Sequence, residues 1–174
     1  PPNKIKHMVV CNRSVVMALE DMVLIRIKAG DQAQGRDLEE ITDIQRKYPH
    51  GSPKVQIHKL FMDPTGVHLI VSLTNMETWY LHRDQLRPKI LDKFKGILID
   101  SIAWDKTNED PTTTSRILIG TNKGRIREAS IGRGGKDVNI QNVYNMHQSS
   151  PITGLHYERF PAQGLKEPKY VVFA

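Results

Sequence analysis

The sequence has 174 residues, of which 39% are hydrophobic and 25% charged, as is ordinary for a soluble globular domain. Its formal net charge of +6 can favour nucleic acid or anionic membranes through non-specific electrostatics, but the basic residues are scattered and favour a plain solvated surface. The single cysteine, Cys11, excludes an internal disulfide framework and a cysteine-based zinc site, and we expect it to be a buried, inert thiol in a reducing cytosol. No apolar run approaches the roughly 18 residues that span a bilayer.

The first fifty residues contain the short apolar runs and tight corners that are typical of antiparallel strands. Three such runs occur, at residues 5–11, 14–19 and 22–28. The polar segment 29–54 follows, in which the spacing of Leu38, Ile41 and Ile44 would permit either a short helical turn or an outer strand. We predict an outer strand followed by a loop.

The central stretch from Val55 to Tyr80 shows the same pattern most clearly. Its three apolar runs are Ile57–Met62, His68–Leu73 and Thr78–Leu81. The corner Asp63–Gly66 joins the first two, and its proline and glycine supply the fixed φ and the positive φ that a tight turn needs. Residues 74–77 join the last two and are short enough to connect antiparallel neighbours. The stretch therefore predicts a three-stranded meander, with Arg87–Leu91 as its outer strand.

The next part of the chain repeats the pattern. Ile97–Trp104 is a nearly continuous apolar run, which favours a strand sandwiched on both faces, as in the inner strands of a propeller. The corner Asn122–Gly124 is a strong hairpin signal between predicted strands at 116–120 and 125–131. The flexible loop and the outer strand that we predict next are Gly132–Asp137 and Val143–Met146.

The chain ends with the start of a further unit. Ile152–Tyr157 is predicted to begin it, and a loop containing proline and glycine leads to Tyr170–Ala174, which has the pattern of the middle of a strand. We therefore expect the chain to be a portion of a longer protein.

A small residue marks the same place in three of these units. Ala18, Ser72 and Gly120 each follow an apolar run, and they are spaced by 54 and 48 residues. A period of about 50 residues with about four short strands per unit is typical of β-propeller blades. We predict an all-β chain, a single domain that forms the N-terminal portion of a β-propeller with four-stranded, antiparallel, WD40-like blades. The predicted blades are about 5–50, 55–92, 96–147 and 152–174 onward, which is about three blades and the start of a fourth.

Histidines and a glycine-rich loop are the first candidates for chemistry. None of the seven histidines pairs with another at metal-ligand spacing, although His58 and His68 are predicted on neighbouring strands and could approach one another. We favour satisfied or solvent-facing histidines over a metal site. Gly132–Lys136 superficially resembles a phosphate loop, but Asp137 follows the lysine and no helix comes next, so a surface loop is favoured.

Carboxylates and aromatic residues give no catalytic pattern. The pairs Glu39-Glu40 and Glu109-Asp110 fall in predicted loops, and Asp100 alone lies on a predicted inner strand, where a glycosidase-type site would need two acids. The aromatic residues on predicted strands are more typical of blade core than of a base-stacking platform; they are Trp79, Tyr80 and Trp104. We predict that the chain is not an enzyme and holds no cofactor and no metal. The turns Asp63–Gly66 and Asn122–Gly124 are predicted to be simple exposed corners.

Three segments of the chain together resemble a known family. They are residues 54–73 (KVQIHKLFMDPTGVHLIVSL), 93–106 (KFKGILIDSIAWDK) and 116–131 (RILIGTNKGRIREASI). In this order and spacing they are similar to the N-terminal propeller of the deep orange family, the class C vacuolar protein sorting subunit eighteen. The similarity covers residues 54–131 well and the flanks loosely, and the segment 29–54 and the loop 132–136 depart from the family's pattern.

The resemblance implies a large subunit with an N-terminal propeller, an α-solenoid and a C-terminal RING-like domain. Such subunits belong to the core shared by the HOPS and CORVET tethering complexes, which bring endosomal and vacuolar or lysosomal membranes together before fusion. The implied partners are the other class C sorting subunits, with Rab GTPases or the SNARE machinery as indirect partners. The implied location is peripheral, on the cytosolic face of late endosomes and the vacuole or lysosome.

Three functional hypotheses follow, and the first is favoured. A non-catalytic protein-interaction scaffold would bind other tethering subunits and perform no chemistry; its protein-binding residues stay unassigned, and no nucleic acid is expected. A direct binder of anionic phospholipid or nucleic acid would cluster basic residues on one face, for which the candidates are Arg125, Arg127, Arg133 and Lys136. A hydrolytic propeller enzyme would need convergent acids or histidines in its central channel.

Overall fold

The chain folds into strands joined by tight corners, and the described part contains no α-helix. The structure is a computed structural model, and it describes residues 3–28, 38–48, 54–85, 87–160 and 169–174. Its strands are β1 Ile5–Cys11, β2 Ser14–Leu19, β3 Val23–Lys28, β4 Leu38–Asp43, β5 Ile57–Met62, β6 His68–Leu73, β7 Thr78–His82, β8 Lys89–Ile90, β9 Ile99–Ala103, β10 Ile117–Thr121, β11 Arg125–Ile131, β12 Val138–Asn145, β13 His156–Phe160 and β14 Lys169–Phe173. Short 3-10 turns lie at Gln45–Lys47, Asp92–Phe94 and Arg133–Gly135.

These strands form antiparallel sheets in which each strand pairs with its neighbour in the sequence. Three sheets have four strands, in the orders β1-β2-β3-β4, β5-β6-β7-β8 and β9-β10-β11-β12, and the last sheet pairs β13 with β14. This arrangement confirms the predicted all-β class of four-stranded antiparallel units with a partial last one. Across the described ranges, no helix is long and apolar enough to cross a membrane.

The first compact unit covers residues 1–98 and contains the first two sheets. Their first strands, β1 and β5, contact one another, and the ring of His7 bonds through Nε2 to the carbonyl oxygen of Ile57 at 3.1 Å. Both sheets contribute side chains to one apolar core, whose most buried members include Val16, Leu24, Ile44, Leu69, Val71 and Leu73. Alternate residues of β2 are buried, as expected for strands with one face on a core.

The second compact unit covers residues 99–174 and contains the other two sheets. Here the first strands β9 and β13 contact one another. The hydroxyl of Ser101 donates to the carbonyl of Ile152 at 2.6 Å, and the hydroxyl of Tyr157 donates to the carbonyl of Arg116 at 2.7 Å. Both units therefore join successive sheets through the first strand of each sheet.

The three small residues that mark the repeat occupy equivalent places. Ala18, Ser72 and Gly120 are each the penultimate residue of the second strand of a sheet, and each faces the first strand beside an irregularity in its register. All three are buried. A β-bulge bends a strand and increases its twist, so the same device recurs at the same position in each four-stranded sheet.

Some predicted boundaries were wrong. The outer strand predicted at Arg87–Leu91 is reduced to β8, because the chain enters the 3-10 turn that buries Phe94. The outer strand predicted at Val143–Met146 is longer and begins at Val138. Residues 152–155 are not a strand, because Ile152 donates its N–H to Thr121 at 3.1 Å and packs in the core of the second unit.

One predicted loop was also wrong. Glu39 and Glu40 lie in the edge strand β4, not in a loop. The segment Gly132–Asp137 is a loop, but it is closed by a hydrogen bond from the N–H of Gly132 to the carbonyl of Asp137 at 3.0 Å, and it contains a 3-10 turn with a buried Gly134. Within the polar segment 29–54, the predicted outer strand is β4, and residues 29–37 and 49–53 lie outside the described residues.

We expect Gly120→Ala to destabilise the protein, because Gly120 is where the second unit is packed most tightly. An added Cβ would lie 2.7 Å from Cγ2 of Ile152 and in conflict with the hydroxyl of Ser101. Overpacking of this kind costs about 1–3 kcal/mol. Gly154→Ala is the matched control, since its added Cβ meets nothing within 4 Å. Urea unfolding of both variants is the measurement, and equal midpoints would contradict the packing argument.

Candidate functional site

The structure separates the two histidines that were considered as a metal pair. His58 is near the start of β5, whereas His68 is the first residue of β6. Leu69, the residue after His68, pairs with Met62 at the end of β5. The two residues therefore lie at opposite ends of one strand pair. Over the described ranges, no group of three or more His, Cys, Asp or Glu side chains could hold a metal ion.

His68 instead belongs to a buried polar cluster in the first unit. Its Nδ1 lies 2.7 Å from the hydroxyl of Tyr80, and its ring meets the ring of His82 edge-on with centroids 5.3 Å apart. The Nδ1 atom of His82 accepts the backbone N–H of Asp84 at 3.1 Å, so the neutral His82 ring carries its proton on Nε2. Burial, with the nearby charge of Asp63, raises the pKa of Tyr80 and keeps its phenol protonated.

The corner before β6 holds this cluster in place. Asp63 is 4% exposed and accepts the N–H of His68 at 2.6 Å and the N–H of Thr65 at 3.1 Å. Asn12, in the β1–β2 corner, donates to the carbonyl of Thr65 at 2.8 Å. Gly66 has φ 71° and is packed against the carbonyl of Cys11. The corner therefore joins two sheets and buries Asp63 and Gly66, whereas Pro64 is exposed as predicted.

The bond between Asp63 and His68 differs from that of a catalytic triad. Asp63 accepts the backbone N–H of His68, whereas a triad requires a bond between the carboxylate and the imidazole ring. Cys11 is half-buried, and burial with the charge of Asp63 raises its pKa, which disfavours the reactive thiolate. The polar cluster fits a structural role.

Arg26 is the charged member of the same region. It lies on β3 and is 7% exposed. Burial is the main cause that lowers its pKa and Arg83 adds to it, while the charges of Glu40, Asp63 and Asp84 oppose it. Among the residues that the structure describes, none bonds to its buried Nη2 atom. A buried guanidinium nitrogen without an acceptor is costly, which makes this residue a candidate for binding.

A cavity of about 240 Å³ lies beside Arg26, between the first two sheets. We call it the Arg26 cavity. Aliphatic side chains form much of its wall, namely Val16, Leu24, Leu69 and Leu81. Its polar lining includes Arg26, His82, Glu40 and Gln85. Glu40 faces Arg26 directly across the β3–β4 pair, and its side chain is exposed.

The predicted aromatic candidates are core residues. Trp79 is 6% exposed, and its indole N–H donates to the hydroxyl of Tyr48 at 3.0 Å. That hydroxyl in turn donates to the carboxylate of Glu77. Lys47 places its Nζ 5.5 Å from the centroid of the Trp79 ring. Trp104 is half-buried, and Asp100 is buried in β9, so neither forms an open stacking platform or acidic pair.

The structure does not gather the basic candidates into one patch. Arg125 begins β11 and Arg133 follows its other end, which places them roughly 25 Å apart at the rise of an extended strand. Glu128 lies between them and pairs with Arg116 at 3.3 Å. Arg127 is half-buried. This geometry does not favour a basic face built on these residues.

Comparison with known proteins gives one consistent result. The family described as the Pep3/Vps18/deep orange beta-propeller domain matches residues 1–174. The chain is 34% identical over 157 residues to the "Vacuolar protein sorting-associated protein 18 homolog" of Danio rerio, which covers 90% of this chain and 15% of that protein. It is 36% identical over 78 residues to "Vacuolar sorting protein 18" of Arabidopsis thaliana, which covers 43% of this chain and 8% of that protein.

A Drosophila melanogaster protein also named "Vacuolar protein sorting-associated protein 18 homolog" is 29% identical over 136 residues, which covers 68% of this chain and 14% of that protein. The chain thus spans at most 15% of the length of these relatives. A solved structure with a similar backbone is the Cps50 (Swd1) beta-propeller domain of Myceliophteria thermophila, with a TM-score of 0.47, 11% identity and coverage of 88% of this chain and 46% of that one.

We expect Asp63→Ala to cost about 3 kcal/mol of unfolding free energy, because it leaves buried N–H groups of the corner without an acceptor. Asp110→Ala is the matched control. Asp110 accepts the equivalent bonds from the N–H of Thr112 at 2.8 Å and from its hydroxyl at 2.7 Å, but it is exposed. Water can replace those bonds, so we expect a loss below about 1 kcal/mol. Urea unfolding measures both, and similar losses would refute the role of burial at Asp63.

We also expect Tyr48 to make stability depend on pH in the alkaline range. Burial and the hydrogen bond to Glu77 raise the pKa of Tyr48 from 10.0 to about 12. The unfolded chain therefore loses the phenol proton first, and the contribution of Tyr48 to stability is present below pH 10 and declines towards about pH 12. The stability difference between the wild type and Tyr48→Phe should shrink over this range in urea unfolding. Tyr144→Phe, at an exposed phenol, is the control, and a constant difference for Tyr48→Phe would contradict the assignment.

Proposed function

The chain belongs to the Pep3/Vps18/deep orange β-propeller family, and from that premise we propose that it is a non-catalytic protein-interaction scaffold in vacuolar protein sorting. The observation that carries the proposal is the family match over residues 1–174, together with relatives whose names specify vacuolar protein sorting. Each four-stranded sheet is proposed to be one blade of a single propeller, and the β13–β14 pair is proposed to be the start of a fourth. Within each compact unit, the first strands of the two sheets contact one another, which supports this assignment.

The geometry of the first unit supports a role without chemistry. The polar groups that could act as acids, bases or nucleophiles are used inside the fold: Asp63 holds a corner, His68 bonds with Tyr80, and Tyr48 bridges Trp79 and Glu77. A propeller of this kind offers rigid surfaces for other proteins, and its corners and cavities are the places where contacts are made.

We further propose that the protein acts in a membrane-tethering complex of the HOPS and CORVET kind. Its partners would be the other class C sorting subunits, with Rab GTPases or the SNARE machinery reached indirectly. It would associate peripherally with the cytosolic face of late endosomes and of the vacuole or lysosome. The support for this finer proposal is the similarity of residues 54–73, 93–106 and 116–131 to the deep orange family.

The test is affinity purification of the full-length protein from its own cytosol, followed by mass spectrometry of what stays bound at moderate salt. We expect the other class C sorting subunits to be retained. Direct binding of lipid or nucleic acid would instead weaken steeply as salt is raised, because it depends on charge. Recovery of anionic lipid or nucleic acid without those subunits would overturn the scaffold proposal.

A further inference from the structure

The Arg26 cavity combines a buried guanidinium, whose Nη2 atom has no acceptor among the described residues, with an apolar wall. These two features indicate what kind of group the cavity could bind. Arg26 is 7% exposed, and no described residue bonds to its Nη2 atom. Glu40 is the carboxylate whose charge acts most strongly on Arg26, but it is exposed, and Asp63 accepts hydrogen bonds from His68 and from Thr65. The described residues therefore bury this guanidinium without an acceptor for its Nη2 atom, which is unfavourable.

The two sheets leave room for an acceptor to enter. The cavity has a volume of about 240 Å³, which suits one or two side chains and not a large ligand. It is lined from the first sheet by Val16, Leu24 and Arg26 and from the second by Leu69 and Leu81. An occupant must therefore present an acceptor for a guanidinium on a stem that is itself apolar.

We propose that the Arg26 cavity binds the carboxylate of a glutamate side chain in an extended segment of a partner protein, with an aliphatic residue two positions away from that glutamate. The planar guanidinium matches a carboxylate, and charge-assisted bonds of this kind are about twice as strong as neutral ones. Residues two positions apart lie on the same face of an extended segment, so the methylene groups of the glutamate and the aliphatic side chain would both contact the leucine and valine wall. This inference deepens the scaffold proposal and rests on it, but not on which complex the protein joins.

The rim favours a single negative charge over a phosphate group. Glu40 lines the cavity, faces Arg26 across the strand pair and is exposed, and the charge of Asp84, two residues after β7, also acts on Arg26. These carboxylates oppose an entering dianion more strongly than a monoanion. Glu40 also provides a second test of the proposal, because removing its negative charge should strengthen the binding of a carboxylate.

The experiment uses two synthetic peptide libraries and affinity selection on the protein, read by mass spectrometry. One library has a central glutamate with leucine, isoleucine or valine two positions before or after it and randomised residues elsewhere, and the other has glutamine at the centre. We expect the glutamate library to be retained about tenfold or more above the glutamine library, since the preference depends on charge-assisted bonds.

Two variants and a control assign that preference to the cavity. Arg26→Met should abolish the preference for glutamate, and Glu40→Gln should increase retention of the glutamate library. Arg46→Met is the control and should leave retention unchanged, because the Arg46 side chain is 87% exposed and pairs with Asp43 outside the cavity lining. Thermal unfolding checks the fold: Arg26→Met should not lower the midpoint, because it removes a buried charge that lacks a full set of partners.

Several outcomes would overturn the proposal. One is equal retention of the two libraries, and another is a drop of more than about 5 °C in the midpoint of Arg26→Met, which would make Arg26 structural. Decreased retention by Glu40→Gln would show that the occupant is not an anion. Displacement by millimolar inorganic phosphate without a preference for glutamate would assign the cavity to a phosphate group instead. Failure of these tests with retained class C subunits would remove this inference and leave the proposed function intact.

Discussion

The polar centre of the first unit depends on how the corner between β5 and β6 is held against the corner between β1 and β2. Asp63 accepts the N–H groups of His68 and Thr65, and Asn12 reaches across to the carbonyl of Thr65. The backbone at Gly66 fits closely because glycine lacks a Cβ and allows its positive φ. These contacts fix the two sheets together at one end of their strands. The Arg26 cavity is lined by side chains from both of these sheets.

The charges around Arg26 do not compensate for its burial. Three carboxylates raise the pKa of Arg26, yet burial outweighs them and the pKa is lowered. Interaction between charges at a distance does not replace hydrogen bonds to a buried guanidinium, which has five N–H groups to satisfy. The ring of His68 bonds through Nδ1 to the hydroxyl of Tyr80 at 2.7 Å. At Arg26, no described residue bonds to the buried Nη2 atom.

The sequence allowed the number and order of strands to be predicted where turns are short and runs are strongly apolar. The corner Asp63–Gly66 and the hairpin at Asn122–Gly124 define their strands directly. Outer strands were predicted poorly, because their faces are partly solvated and their pattern is weak: β8 was predicted too long and β12 too short. Ile152 was placed at the start of a strand, because an apolar residue that packs into a core from irregular backbone has the same local pattern as one in a strand.

Sequence patterns indicate the positions of His82 and Arg26 better than they indicated a metal pair of His58 and His68. The register in which Ser72 faces Thr78 necessarily places His68 opposite His82, and the short connection between β6 and β7 already indicates this pairing. Arg26 is two residues after Leu24 in β3, and residues two apart lie on the same face of a strand. The alternation therefore places a charged residue on the buried face of β3. An arginine on a core face must find an acceptor, or else it marks a place where one is brought in. Sequence alone cannot decide between these, since Asp63 and Glu40 were both available as partners. In the structure, Asp63 bonds to the backbone of its own corner and Glu40 is exposed, and the proposal for the Arg26 cavity rests on these observations.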